Sequence, residues 1–147
     1  FGFSIDPTTL VKVCIDKSRK KIFAKEHFYR PKLTTSEIYS LSKNYVGEGL
    51  IYGDSAEPRL IEELKSAGLN IKGTEKGPGS ITAGIAAIQD YELIIDPDSI
   101  NLIKELNNYV WNDKKSETPI DAYNHILDAL RYACYPTLKP QKDFFVF

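Results

Sequence analysis

Methionine is missing from all 147 residues, cysteine and histidine occur twice each, and tryptophan occurs once. A chain that starts with Phe and holds no Met reads as a piece cut from a longer polypeptide. Cys14 and Cys134 lie too far apart for a close-spaced zinc site and are too few for a secreted disulfide framework, which predicts two reduced thiols in the core. No window approaches the run of about 18 apolar residues that a membrane span requires. Residues 1–10 lack the basic segment followed by an apolar stretch that marks a secretory leader. Neither charge sign is in excess: 19 Lys and Arg stand against 20 Asp and Glu, for a net charge of -1. Any nucleic-acid contact must therefore come from local basic patches, not from the global field. The G-x-x-x-x-G-K-[ST] loop, the G-x-S-x-G elbow and the H-E-x-x-H zinc helix are all absent, so these residues cannot hydrolyse ATP.

What is present is the composition of a globular domain, 42% hydrophobic and 27% charged, at a length sufficient for one domain with its own core. The expected division is a domain over residues 1–135 and a C-terminal tail over residues 136–147. Leu10, Val11, Val13 and Ile15, the polar turn Asp16 to Lys20, and the alternating stretch Ile22 to Tyr29 predict a β-hairpin. Residues 1–5 fit the end of a preceding strand. Thr34 with Glu37 forms a capping-box pattern ahead of Ile38, Leu41 and Tyr45, and Gly47 ends that helix. Leu50 to Asp54 reads as a buried strand stopping on a carboxylate, followed by a helix capped by Ser55, carrying Leu60, Ile61 and Leu64, and ended by Gly68. Leu69 to Ile71 fits a strand, and residues 72–79 a glycine-rich loop. A helix capped by Ser80 follows, with Ile81, Ile85 and Ile88 on one side. A strand at Leu93 to Ile95 and a helix carrying Leu102, Ile103 and Leu106 come next, then a polar turn or hairpin at residues 113–118. A last helix is expected from about Pro119 to Tyr132. Strands interspersed with helices predict an α/β fold, a mixed β-sheet with helices packed on its faces.

Asp54 is the first chemical candidate, because ligands of open α/β sheets gather at the carboxyl ends of strands; taken alone, it could equally serve only to cap the next helix. The last helix carries Asp121, His125, Asp128 and Tyr132 at steps of four, three and four, which put them on one stripe beside its apolar face. Carboxylates at the edge of a core suit a hard divalent cation, and a solvated polar face is the other reading. His125 could be a ligand, a proton shuttle or a structural hydrogen-bonding residue, whereas His27, with no nearby acid in sequence, reads as structural. Lys72 and Lys76 flank the expected start of a helix, where free backbone N–H groups favour phosphate; a plain surface loop is the alternative.

Phe1-Gly2-Phe3-Ser4-Ile5-Asp6-Pro7, Tyr52-Gly53-Asp54-Ser55-Ala56-Glu57-Pro58, Lys76-Gly77-Pro78-Gly79-Ser80-Ile81 and residues 124–132, Asn-His-Ile-Leu-Asp-Ala-Leu-Arg-Tyr, together resemble the nuclease domain of tailed-phage terminase large subunits. Each motif alone is weak, and their serial order carries the resemblance. It implies a ribonuclease H-like fold and a metal-dependent endonuclease that cleaves double-stranded concatemeric phage DNA during packaging, with two Mg2+ or Mn2+ ions. It assigns Asp54 as the second-strand carboxylate, Asp128 as the helix carboxylate and His125 as a residue beside the metals, with Asp121 a further candidate. Independently of the resemblance, the glycine-rich loop ahead of a helix start suggests that Lys72 and Lys76 guide the DNA backbone toward that site. The partners implied are an N-terminal ATPase domain of the same full-length chain, a small terminase subunit and a portal protein, in the host cell cytoplasm. The family's first-strand aspartate immediately precedes the aromatic-Gly pair, a place just before Phe1, so the chain as given is expected to bind metal weakly and cut poorly. A resolvase- or transposase-type nuclease, and a non-catalytic DNA-binding or docking module of the same fold, are the competing functions.

Overall fold

The computed structural model describes residues 7–74, 79–108 and 125–138; the expected strand end at residues 1–5, the polar turn at 113–118 and the tail beyond Leu138 lie outside them. Side-chain alternation builds the hairpin. β1 (Thr8–Asp16) and β2 (Lys21–Arg30) pair antiparallel from Thr8↔Arg30 to Asp16↔Lys21. Val11, Val13 and Ile15 pack inward while Lys12 and Cys14 are exposed, as the two-residue period of a strand demands. The register slips between Leu10 and Val11 and leaves His27 out of the pairing. Its ring instead stacks on Tyr45 with centroids 4.6 Å apart. In the turn, Asp16 Oδ1 accepts the Ser18 hydroxyl at 2.7 Å and the Arg19 N–H at 3.1 Å.

The expected capping box opens α1 (Thr35–Val46): the Glu37 N–H donates to Thr34 Oγ1 at 3.2 Å and the Thr34 N–H to Glu37 Oε2 at 2.8 Å, a motif that stabilises a helix by about 1 kcal/mol. β3 (Ile51–Gly53), α2 (Pro58–Ala67) and β4 (Ile71–Gly73) follow. Ser55 does not cap α2. Glu57 stands at the N-cap without a side-chain bond and Pro58 begins the helix, its fixed φ and missing N–H being suited to that first position. Gly68, at φ 115°, ends α2 as expected. α3 (Ser80–Gln89) likewise starts differently: Gly79 at φ 76° is the N-cap and Ser80 the first helical residue. Ile85 and Ile88 are half-buried on α3, but Ile81 is exposed. β5 (Glu92–Ile95), α4 (Ile100–Asn108) and α5 (His125–Leu138) complete the described elements. α5 runs past Tyr132 through Pro136, so the first residues of the expected tail form its last turn.

The described strands form two sheets, β1-β2-β5 with β5 parallel to β2, and a parallel β3-β4 pair. Two apolar clusters hold them. Leu10, Phe28, Ile38, Ile51, Leu60, Ile61, Leu64, Leu69 and Ile71 join the start of the hairpin to α1, α2, β3 and β4. Ile22, Ala24, Leu102, Ile126, Leu130 and Cys134 join the rest of it to α4 and α5. α5 packs against β1, β3, α3 and α4 and is the element common to both halves.

Both cysteines are free, but only Cys134 is buried; Cys14 is exposed, which corrects the expectation of two core thiols. The parity of β1 explains it, since Cys14 falls between the inward residues Val13 and Ile15. Burial pushes the Cys134 thiol up to about 12, so it is inert while folded. In native protein a thiol reagent should therefore label one cysteine rapidly, and Cys14→Ser should abolish that fast phase. Two fast thiols in the native state would contradict this packing.

Candidate functional site

Asp54 directly follows β3, where Gly53 lets α2 approach closely: a Cβ there would meet Ile71 Cδ1 at 3.2 Å and Ile61 Cγ1 at 3.3 Å. The carboxylate is half-buried, and its Oδ1 accepts the Ala56 N–H at 2.9 Å while its main-chain carbonyl accepts the Glu57 N–H at 3.0 Å. Asp54 thus shapes the turn ahead of α2, whose N-cap is Glu57, and presents a strand-end carboxylate.

His125 and Asp128 occupy the first turn of α5, both half-buried, and Tyr132 one turn on is buried. Asp128 Oδ1 accepts from Arg131 Nη2 at 3.3 Å. Arg131 is itself buried, 7% exposed, with its guanidinium 4.8 Å from the centre of the Tyr132 ring. Its stem fits only because position 84 on α3 is glycine, where a Cβ would stand 2.8 Å from Arg131 Cγ and 2.9 Å from Cδ. The close crossing of α3 over α5 therefore seats the cation that accompanies Asp128.

Two glutamates missed by sequence reasoning position these elements. Glu26 of β2 takes the Leu102 N–H on Oε1 at 2.9 Å and the Asn101 side-chain amide on Oε2 at 2.7 Å, and its own N–H donates to Ser99 Oγ at 3.0 Å. It thereby holds the start of α4. Glu105 of α4, 2% exposed, accepts the N–H groups of Ile126 at 2.8 Å and Leu127 at 3.1 Å on one oxygen, Oε1. It supplies the acceptor that the first turn of α5 lacks within itself. The signal was legible: Glu26 has the parity of inward Ile22 and Ala24, and Glu105 shares a helical face with Leu102 and Leu106. A carboxylate in an apolar register calls for a buried donor.

Lys72 is the middle residue of β4, not part of a loop. It is exposed, with its ammonium 5.1 Å from the centre of the Tyr52 ring. Lys76 and Asp121 lie outside the described residues. Hard oxygen donors with one imidazole suit magnesium or manganese in kind. In number, no group of three or more His, Cys, Asp or Glu able to hold a metal forms among the described residues. A cavity of about 670 Å³ opens between the facing edges of β1 and β3, floored by Ala129, Tyr132 and Ala133 of α5. Asp54, His125 and Asp128 are not among its lining residues. α5, which carries His125 and Asp128, packs against β3, which Asp54 follows.

The family model for the terminase RNAseH-like domain matches residues 1–135. The large terminase subunit of Bacillus phage SPP1 is 33% identical over 142 residues, covering 90% of this chain and 34% of that protein. The PBSX phage terminase large subunit of Bacillus subtilis strain 168 is 27% identical over 139 residues, covering 90% of this chain and 32% of that protein. The chain thus spans about a third of the length of the curated relatives it matches. Among solved structures, the nuclease domain of the SPP1 large terminase with bound Mn aligns at a TM-score of 0.84 and 31% identity, over 93% of this chain and 82% of that one. The P22 large terminase nuclease domain, at a TM-score of 0.69 and 12% identity over 89% of this chain and 75% of that one, shares the fold.

Burial pushes the Glu105 carboxyl above its ordinary range, outweighing the opposing pull of the Leu127 and Ile126 N–H groups, the Tyr29 hydroxyl and the His125 charge. The folded state therefore holds this proton to higher pH than the unfolded state. The resulting stability is full below the ordinary carboxylate value and is lost as pH rises through the folded value. Glu105→Gln, which keeps an oxygen acceptor but cannot ionise, should flatten that slope in urea titrations across the acid range. Glu105→Ala should cost about 1–3 kcal/mol by stranding the buried Ile126 N–H and the part-buried Leu127 N–H. Equal stability of the Ala variant and wild type would exclude the capping role.

Proposed function

The chain belongs to the terminase RNase H-like family, the nuclease domain of terminase large subunits, and from that premise we propose that it is a divalent-metal-dependent endonuclease cutting double-stranded concatemeric DNA during genome packaging. The observation that carries this reading is that α5, which bears the helix carboxylate Asp128, packs against β3, the strand directly followed by the carboxylate of Asp54. The manganese bound in the SPP1 nuclease domain supports the choice of cation.

Asp54 and Asp128 would hold the metals, with His125 beside them and Asp121 a further candidate. Bound Mg2+ or Mn2+, two ions in this reading, would supply an activated water and stabilise the charge developing on the leaving 3′ oxygen. The residues of the chain do the rest. Arg131 stays beside Asp128 and Glu105 fixes the turn that carries it, so the carboxylate needs little reorganisation to act as a ligand. Lys72, tethered at Tyr52, and Lys76 would guide the phosphodiester backbone without reading bases. Charge balance around two closely spaced cations calls for a third carboxylate, which the family places directly before Phe1. The facing edges of β1 and β3 lack strand partners among the described residues and could accept a strand carrying it. In the full-length protein, an N-terminal ATPase domain, a small terminase subunit and a portal would be the partners, in the host cell cytoplasm.

A chain carrying an aspartate directly before Phe1 should nick supercoiled plasmid better than the chain as given, with manganese more effective than magnesium because it tolerates imperfect geometry. In that extended chain, Asp54→Asn or Asp128→Asn should abolish cleavage while leaving the far-ultraviolet spectrum unchanged, since each swap removes charge and almost no volume. Undiminished cleavage by either variant, with contaminating nuclease excluded, would remove these residues from the metal site. Lys72→Ala with Lys76→Ala should weaken DNA binding across all sequences and flatten its salt dependence; an unaltered salt slope would take this segment off the DNA path.

A further inference from the structure

Charge on this chain is segregated. Residues 12–25 hold Lys12, Lys17, Arg19, Lys20, Lys21 and Lys25 against the single acid Asp16, a net of +5 within a total of -1, so the remaining residues together carry -6. The structure gathers these cations on one hairpin. Arg19 is compensated by Asp16 at 3.8 Å and Lys21 by Glu92 at 3.7 Å. Lys12, Lys17, Lys20 and Lys25 are exposed and have no ion-pair partner among the described residues. Lys12 and Lys25 are direct cross-strand partners, an arrangement of like charges that destabilises a sheet. Beside them on the same open face, Phe23 is 44% exposed and paired with the exposed Cys14. The positive potential is felt locally: after burial, the charges of Lys25 and Lys12 are what hold the His27 imidazole below its usual range.

We infer that the outer face and turn of the β1–β2 hairpin form a second contact surface for the DNA backbone, separate from the segment carrying Lys72 and Lys76. The inference rests on the reading that the chain acts on DNA, and it adds a surface that neither the motifs nor the acidic residues point to. The occupant follows from charge complementarity. Lys12 is four residues from the end of β1 at Asp16, roughly 14 Å along a strand at about 3.4 Å per residue, and Lys17 and Lys20 lie in the turn beyond it. That length matches about four successive phosphate steps on one strand of a duplex, at about 3.4 Å of axis each. Four ammonium groups on flexible stems, without an ion-pair partner among the described residues, suit successive phosphates and carry no base specificity. Acceptance of a destabilising Lys12–Lys25 pair is consistent with a polyanion lying across it.

The test is binding of a linear, mixed-sequence duplex to the 147-residue chain without divalent metal, measured by fluorescence anisotropy over a series of salt concentrations. Lys12→Gln with Lys25→Gln, and separately Lys17→Gln with Lys20→Gln, should each weaken binding and reduce the slope of log affinity against log salt by about 0.9 for each phosphate that is no longer neutralised. The first double variant should also melt at a higher temperature than wild type, which separates weakened phosphate binding from a damaged fold. Wild-type binding whose affinity and slope are untouched by both double variants would overturn the hairpin surface and leave the nuclease reading standing. The same holds if poly-glutamate binding falls in the variants while DNA binding does not, which would assign the hairpin to an acidic protein. Absence of DNA binding by the wild-type chain at low salt would overturn both.

Discussion

A single carboxylate oxygen at the head of the last helix organises the structure around the candidate site. Glu105 Oε1 accepts two N–H groups from the first turn of α5, the turn that bears His125 and Asp128. Burying a carboxylate is costly, and the helix N-terminus offsets part of that cost because its free donors and dipole favour an acceptor there. The same logic operates one step earlier, where Glu26 holds the start of α4. The two caps form a chain of dependence from the hairpin to α4 and from α4 to α5. Apolar contact through Leu102, Ile126 and Leu130 holds the helices together, and the directional hydrogen bonds from Glu105 add to that packing by fixing the start of α5.

The acidic and basic features of the surface answer to different constraints. Asp128 lies at the edge of the core with Arg131 against it, and Arg131 is seated because Gly84 leaves space on α3. That arrangement keeps a carboxylate in a fixed place without isolating it from solvent. The hairpin does the opposite with its lysines, leaving most of them exposed and without an ion-pair partner among the described residues. A near-neutral chain can therefore present strong local fields of both signs, which a net charge of -1 conceals.

Several elements are legible in the sequence because their determinants are local. The capping box at Thr34 and Glu37, the alternation of Val11, Val13 and Ile15, and the terminating glycine at position 68 each act within a few residues of chain. The departures are also local in origin. Ser55 and Ser80 are good capping residues, but Pro58 and Gly79 fix backbone geometry more strongly and determine where α2 and α3 begin. Residue type alone puts Cys14 in the core, although its place between Val13 and Ile15 already sets it on the outer face.

The amino-acid sequence by itself determined the order of the described elements, the family through four serial motifs, and the two residue positions, 54 and 128, where a strand end and a helix offer carboxylates. Periodicity and motif order are properties of neighbouring residues and need no partner to be read. Only the tertiary structure decided that Glu105 of α4 caps α5, that Gly84 of α3 makes room for the Arg131 stem, and that Lys12 faces Lys25 across a bulged hairpin. Each of these joins residues from separate elements, and its energy depends on distance and burial that come into being when those elements pack.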